Sequence, residues 1–273
     1  MNQKENSCDS FLKWSLPKMD LRPEGYRKVR GQVCKRIRRR KKELGLESFG
    51  DYRAWLEKNP EEWKVLDEMT RITISRFFRD KNAWEELGER LLPETIRESE
   101  DDRPMLRCWS ADCASGEEPY SLSILWKEKI SPAFPGASLE ILATDAGPDI
   151  LKRARHACYT RGSLREMPEK WREKAFYRKD LFYCLSEPYR EPVTFYLQDI
   201  RKEMPEGNFD LVFCKNLVAM YFSRELAPPI FNSISTRMKK GAYLVLGNHE
   251  EIDLEEVRDI RMFSKGMNLY RKY

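Results

Sequence analysis

Ser110-Ala-Asp-Cys-Ala-Ser-Gly-Glu-Glu-Pro-Tyr-Ser121 decides the fold of this chain. Before it runs Met105-Leu-Arg-Cys-Trp109, a short apolar stretch that suits a buried strand. After it a helix is expected from Glu117, with Ser115 as N-cap and Pro119 in the first turn, where a missing N–H costs nothing. A strand running through small residues into a helix lets a ligand approach main-chain N–H groups near a helix N-terminus. The stretch has no GxGxxG and no Walker lysine, which argues against dinucleotide and P-loop nucleotide sites.

The flanking sequence repeats the alternation. Strands are expected at Met105–Trp109, Leu139–Thr144, Val193–Leu197, Phe209–Cys214 and Tyr243–Leu246, with a final pair within Ile260–Tyr273. Helices are expected at Glu117–Lys129, Pro148–His156, Glu169–Ala175 and Arg224–Met238. This pattern gives an α/β fold with a mostly parallel sheet, whose ligands bind beyond the carboxyl ends of the strands. Upstream the pattern changes. Residues 1–20 read as a leader, 21–96 as an all-helical N-terminal domain, and the charged stretch 97–104 as a linker to 105–273.

Composition narrows the class. The chain has 273 residues, 41% hydrophobic and 35% charged, enough for a sizeable core under a well-solvated surface. No run approaches the ~20 apolar residues of a membrane span, and the N-terminus lacks the apolar segment of a signal peptide. Seven scattered cysteines without a CxxC pair suggest reduced thiols and a cytoplasmic location. Two histidines, His156 and His249, offer no zinc ligand set, so no metal is expected. The net charge of +5 is unevenly spread: residues 1–45 carry 14 Lys/Arg against 5 Asp/Glu. Most of that excess lies in Lys35-Arg-Ile-Arg-Arg-Arg-Lys-Lys42, where Val29, Val33, Ile37 and Leu44 recur near helical spacing. Residues 28–42 therefore read as an amphipathic helix with a basic face, suited to an acidic partner. It lacks the interleaved aromatics that stack nucleic-acid bases.

Polar residues close successive strands. Asp145, in Ala143-Thr-Asp-Ala146, suits a ribose diol, Gln198-Asp199 an adenine edge, and Phe213-Cys-Lys-Asn216 adds polar groups after the fourth strand. An adenosine-bearing cofactor fits this inventory. S-adenosylmethionine fits it best, because it needs no phosphate cradle.

These residues, together with Arg71-Ile-Thr-Ile-Ser-Arg-Phe-Phe-Arg-Asp80, Ser115-Gly-Glu-Glu-Pro-Tyr-Ser121, Tyr221-Phe222 and Gly247-Asn-His-Glu250, resemble the CheR-type methyltransferases of bacterial chemotaxis. The resemblance runs from about residue 24 to the end. It implies a Rossmann-like class I methyltransferase domain with a small β-subdomain insertion at 176–194, preceded by the all-helical domain. It implies methyl transfer from S-adenosylmethionine to glutamate carboxylates of chemoreceptors, with S-adenosylhomocysteine as product. By that likeness Thr73, Ser75 and Arg79 face the cofactor, with Arg79 nearest the reacting centre. Ala111, Glu118, Asp145, Gln198, Asp199, Asn216 and Leu217 line the cofactor site, and Tyr221 approaches the methyl group. Four departures from the family pattern stand out: Asp112 where Gly or Ala is usual, Thr73 and Ser75 for Asn and Thr, Lys215 for Arg, and one extra residue between Asn216 and Tyr221. The β-subdomain is short and lacks a glycine turn. Two other readings stay open: the same fold acting on nucleic acid or a small molecule, and a non-catalytic cofactor-binding module. A monomer is expected, because no apolar heptad argues otherwise.

Overall fold

The computed structural model describes residues 7–273. It divides into two compact units, one of residues 1–72 with Leu217–Ala227 and one of Thr73–Asn216 with Pro228–Tyr273. Residues 73–96, grouped by the sequence with the helical domain, belong to the second unit.

The second unit is built on ten strands numbered in chain order. β1 (Met105–Ala111), β2 (Ser138–Asp145), β6 (Val193–Leu197), β7 (Phe209–Phe213), β8 (Met238–Val245), β9 (Ile260–Ser264) and β10 (Leu269–Lys272) form one sheet. β3 (Cys158–Tyr159), β4 (Phe176–Lys179) and β5 (Phe182–Leu185) form a small second one. The order of the large sheet is β6-β2-β1-β7-β8-β10-β9. Its first five strands pair in parallel and its last two antiparallel. Cys108 and Trp109 are wholly buried, as expected of a strand covered on both faces. Strand order reverses beside β1, with β2 on one side and β7 on the other, so the C-terminal end of β1 is the switch point where such sheets bind ligands. All the expected strands are present, and Pro148–His156 and Glu169–Ala175 are helices with the expected bounds. The small sheet recruits Cys158–Tyr159 as a third strand, and Asp180 (φ 53°) makes its hairpin turn without glycine.

The helical unit contains helices Cys8–Ser15, Arg30–Glu43, Phe49–Lys58 and Glu62–Thr70. Phe11, Leu12, Val33, Ile37, Tyr52, Leu56 and Leu66 fill its core. Ser48 and Asp51 close a reciprocal capping box, so a helix starts at Phe49. Part of the expected leader, residues 1–6, lies outside the described residues. Within them, Cys8–Ser15 is a capped helix with Phe11 and Leu12 buried.

The basic run is less open than its composition implies. Arg36 donates to the carbonyls of Met69 (3.1 Å) and Arg71 (2.6 Å) at a helix end. Arg40 grips Glu62 through two bonds of 2.9 and 2.7 Å, and the Lys41 ammonium donates to the Glu47 carbonyl (2.9 Å). Lys35, Arg38, Arg39 and Lys42 remain exposed.

The expectation of reduced thiols is corrected by two disulfides, Cys8–Cys34 and Cys158–Cys184. Pairs 26 residues apart in sequence meet here through helix packing in one unit and strand pairing in the other, neither of which spacing reveals. Cys108, Cys113 and Cys214 are buried and form no disulfide. No helix among the described residues is long and apolar enough to cross a membrane.

Candidate functional site

The turn after β1 is shaped by three left-handed residues, Asp112 (φ 58°), Ala114 (φ 49°) and Gly116 (φ 88°). At Gly116 a Cβ would come within 3.0 Å of the Tyr120 ring, so the site demands glycine twice over. Gly116, not Ser115, is the N-cap of helix Glu117–Leu125. The Ser115 hydroxyl instead donates to the Glu117 carboxylate at 2.9 Å, because that carboxylate is buried and needs a donor more than the helix end does. Burial pushes the Glu117 carboxyl above its usual range, opposed by main-chain bonding, by Ser115, by Arg153 and by a hydrogen bond from Ser75.

Asp145 ends β2 and fixes this turn. One carboxylate oxygen accepts from the Ala114 N–H (2.9 Å) and the other from the Gly147 N–H (2.7 Å). The two loops that follow β1 and β2 are thus stitched by one buried side chain.

Gln198 and Asp199 follow β6. Gln198 donates its N–H to the Asp145 carbonyl (3.1 Å), which sets the end of β6 beside Asp145. Its side-chain oxygen is buried and has no protein partner. The Asp199 carboxylate is taken by Arg201, whose guanidinium donates at 2.9 and 2.6 Å. Gln198 is the acceptor that remains at this strand end.

Phe77-Phe78-Arg79-Asp80 is bolted to the α/β unit by its aromatics. Phe77 meets Tyr159 and Phe176 edge-on, with centroids at 4.8 and 5.3 Å, and Phe78 packs on Trp84 and Trp171. Phe78 (φ 54°) and Asp80 (φ 66°) are both left-handed, so this stretch cannot continue the expected helical run. Residues 71–76 carry no regular secondary structure instead, and Thr73 lies half-buried among them. The Arg79 carbonyl accepts from the Trp84 indole (2.8 Å) and the Lys215 ammonium (3.2 Å), while its guanidinium reaches the Asn216 amide oxygen at 3.5 Å.

Lys215 is the hub of this cluster. Its buried ammonium lies 2.9 Å from an Asp80 carboxylate oxygen and 4.0 Å from one of Glu118. The other Glu118 oxygen accepts from the Ser110 hydroxyl at 2.8 Å. Burial raises the Glu118 carboxyl, and Lys215 is the strongest influence against it.

Sequence reasoning missed Glu250. Its buried carboxylate accepts from the N–H groups of Asn216 and Gly247 and so holds Asn216 in its left-handed conformation (φ 58°). A Cβ on Gly247 would lie 2.8 Å from both the Asn216 amide oxygen and the Glu250 carboxylate. The Gly-Asn-His-Glu stretch carried the signal, but only the fold shows what its glutamate grips. The second unit thus gathers Ser75, Arg79, Ala111, Glu118, Asp145, Gln198, Asp199 and Asn216 around the ends of β1, β2, β6 and β7. Leu217 and Tyr221 belong to the helical unit, where the Tyr221 ring lies 4.9 Å from that of Tyr26.

Two family models match this chain: "CheR methyltransferase, SAM binding domain" over residues 73–267 and "CheR methyltransferase, all-alpha domain" over 28–70. The chain belongs to the CheR methyltransferase family. It is 35% identical over 208 residues to a chemotaxis protein methyltransferase of Listeria innocua, covering 75% of each chain. It is 30% identical over 216 residues to the one of Borreliella burgdorferi, covering 76% of this chain and 75% of the other. Chemotaxis protein methyltransferase 1 of Pseudomonas aeruginosa is 31% identical over 228 residues, covering 81% and 82%.

S-adenosylmethionine is the cofactor of the family domain, and the residues present fit it. The orphaned Gln198 oxygen would accept from the adenine amino group, which no anion or phosphate would satisfy. The Asp145 carboxylate stands one strand away, on β2, where a ribose is held in folds of this kind.

Proposed function

We propose that this chain esterifies glutamate carboxylates of an acidic, chemoreceptor-like helical protein in the cytoplasm, acting as a monomer. The reading rests on Arg79, whose carbonyl accepts from Trp84 and Lys215 and whose guanidinium reaches the Asn216 amide oxygen. When bound, S-adenosylmethionine supplies a methyl group activated on a sulfonium. Arg79 binds and orients the acceptor carboxylate through paired hydrogen bonds. A glutamate is already ionised near neutral pH, so no side chain need remove a proton. Transfer neutralises both the carboxylate and the sulfonium, which favours a site that excludes water and fixes alignment.

Cofactor binding is assigned to Thr73, Ser75, Arg79, Ala111, Glu118, Asp145, Gln198, Asp199 and Asn216. Leu217 and Tyr221 join on family likeness, Tyr221 at the methyl group. The exposed face of Lys35, Arg38, Arg39 and Lys42 supports an acidic partner. The disulfides withdraw the thiol argument for a cytoplasmic location, which is proposed from the nature of the acceptor alone.

The test is methyl transfer from labelled S-adenosylmethionine to a chemoreceptor cytoplasmic fragment, with calorimetric cofactor binding to the wild-type chain and Asp145→Ala. Label released by alkali as methanol is expected, with binding lost in the variant. Alkali-stable label on a different acceptor would point to another substrate class, and binding without turnover to an interaction module.

A further inference from the structure

Leu217–Ala227 interrupts the α/β unit in sequence yet belongs to the helical one. A seam with residues 20–26 anchors it there. Ser223 donates its N–H to the Asp20 carbonyl (2.7 Å), Arg22 its N–H to the Tyr221 carbonyl (2.8 Å), and Leu21 and Phe222 form an antiparallel bridge.

The Arg22 side chain adds what this seam lacks. Helix Val218–Tyr221 is a single turn, too short to satisfy the carbonyls at its own C-terminal end. Arg22 serves two of them, its Nε donating to Met220 (2.8 Å) and its Nη2 to Ala219. A planar fork with a positive charge suits paired carbonyls at the negative end of a helical turn. Gly25, in the 3-10 turn Pro23–Tyr26, lets the two segments approach: a Cβ there would stand 2.1 Å from the Met220 carbonyl oxygen. Tyr26 then packs its ring on Tyr221, both rings being buried.

We propose that Arg22 is a positioning residue for methyl transfer, clamping the turn that carries Tyr221, with Gly25 and Tyr26 completing the clamp. The inference rests on the reading of Tyr221 given above.

The test compares wild type, Arg22→Ala and Arg22→Lys by hydrogen exchange and by kinetics with a chemoreceptor cytoplasmic fragment. In Arg22→Ala, amide exchange across 217–227 should speed about tenfold while the α/β unit keeps its protection. Its kcat should fall roughly 10- to 100-fold, the scale on which small misplacements of a reacting group act, with cofactor Kd within about twofold of wild type. Methylguanidinium should restore part of that kcat. Arg22→Lys, which keeps the charge and one donor group, should fall between and covers the case in which the alanine variant does not fold. Unchanged exchange overturns the clamp. Faster exchange with unchanged kcat overturns its role in transfer, as does a kcat loss matched by lost cofactor binding. A wild-type chain without turnover overturns the function reading and the catalytic half of this one, while the exchange data still decide the clamp.

Discussion

Replacing Lys215 by methionine removes one charge from the centre of the site and keeps most of the side-chain volume. The ammonium is buried beside two carboxylates, 2.9 Å from Asp80 and 4.0 Å from Glu118. Removing one partner of a buried ion pair costs about 3–5 kcal/mol, because the other is left uncompensated. Here the lower end applies. Asp80 keeps the Asn248 amide at 2.9 Å, and Glu118 keeps the Ser110 hydroxyl at 2.8 Å. A loss of about 3 kcal/mol corresponds to a fall in Tm of roughly 6–12 °C for a domain of this size. The sign of the pH dependence follows from Glu118. Its folded-state pKa is raised by burial, so its contribution to stability is present below the ordinary carboxylate range and lost as pH rises through the raised value. Lys215 opposes that rise, so without it the decline becomes steeper and extends further. The gap between wild type and variant should therefore be wider at pH 8 than at pH 5, because falling pH moves Glu118 towards its neutral form. Thermal unfolding at both pH values is the assay, with Lys215→Arg, the residue type usual in the family, as the charge-preserving control. A Tm within about 2 °C of wild type at pH 8, or an equal gap at both pH values, refutes the hub role of Lys215.

Asp145→Ala should strand the N–H groups of Ala114 and Gly147, at about 1–3 kcal/mol for each donor left buried, while the sheet stays folded. Urea unfolding monitored alongside cofactor calorimetry will separate lost stability from lost binding. Each disulfide closes a loop between cysteines 26 residues apart, and reduction should cost about 3 kcal/mol per bond by chain entropy. Dithiothreitol should therefore lower the Tm of the wild-type chain, and a Cys8→Ser, Cys158→Ser double variant should not respond to it.

The large sheet was legible because its signal is local. Short apolar runs such as Met105–Trp109 end in polar or small residues, and a parallel strand buried on both faces needs little else. Asp145 was legible for the same reason: its place at a strand end follows from the alternation alone. What escaped is what depends on pairing between distant segments. Nothing near Glu250 in sequence says that it grips Asn216, and nothing near Cys8 names Cys34 as its partner. Arg36, Arg40 and Lys41 looked like open charge because composition cannot show which basic residues cap a helix or meet a buried glutamate. The same limit explains the reading of Ser115 as a cap. A serine beside a buried carboxylate has a stronger claim on its hydroxyl than a helix end, and the burial of Glu117 is a tertiary fact. The residues shared with the family therefore mark where the chemistry is expected. Arg22, Lys215 and Glu250 are the candidates for how this particular chain holds that chemistry in place, and their roles rest on contacts that cross 34 to nearly 200 residues of sequence.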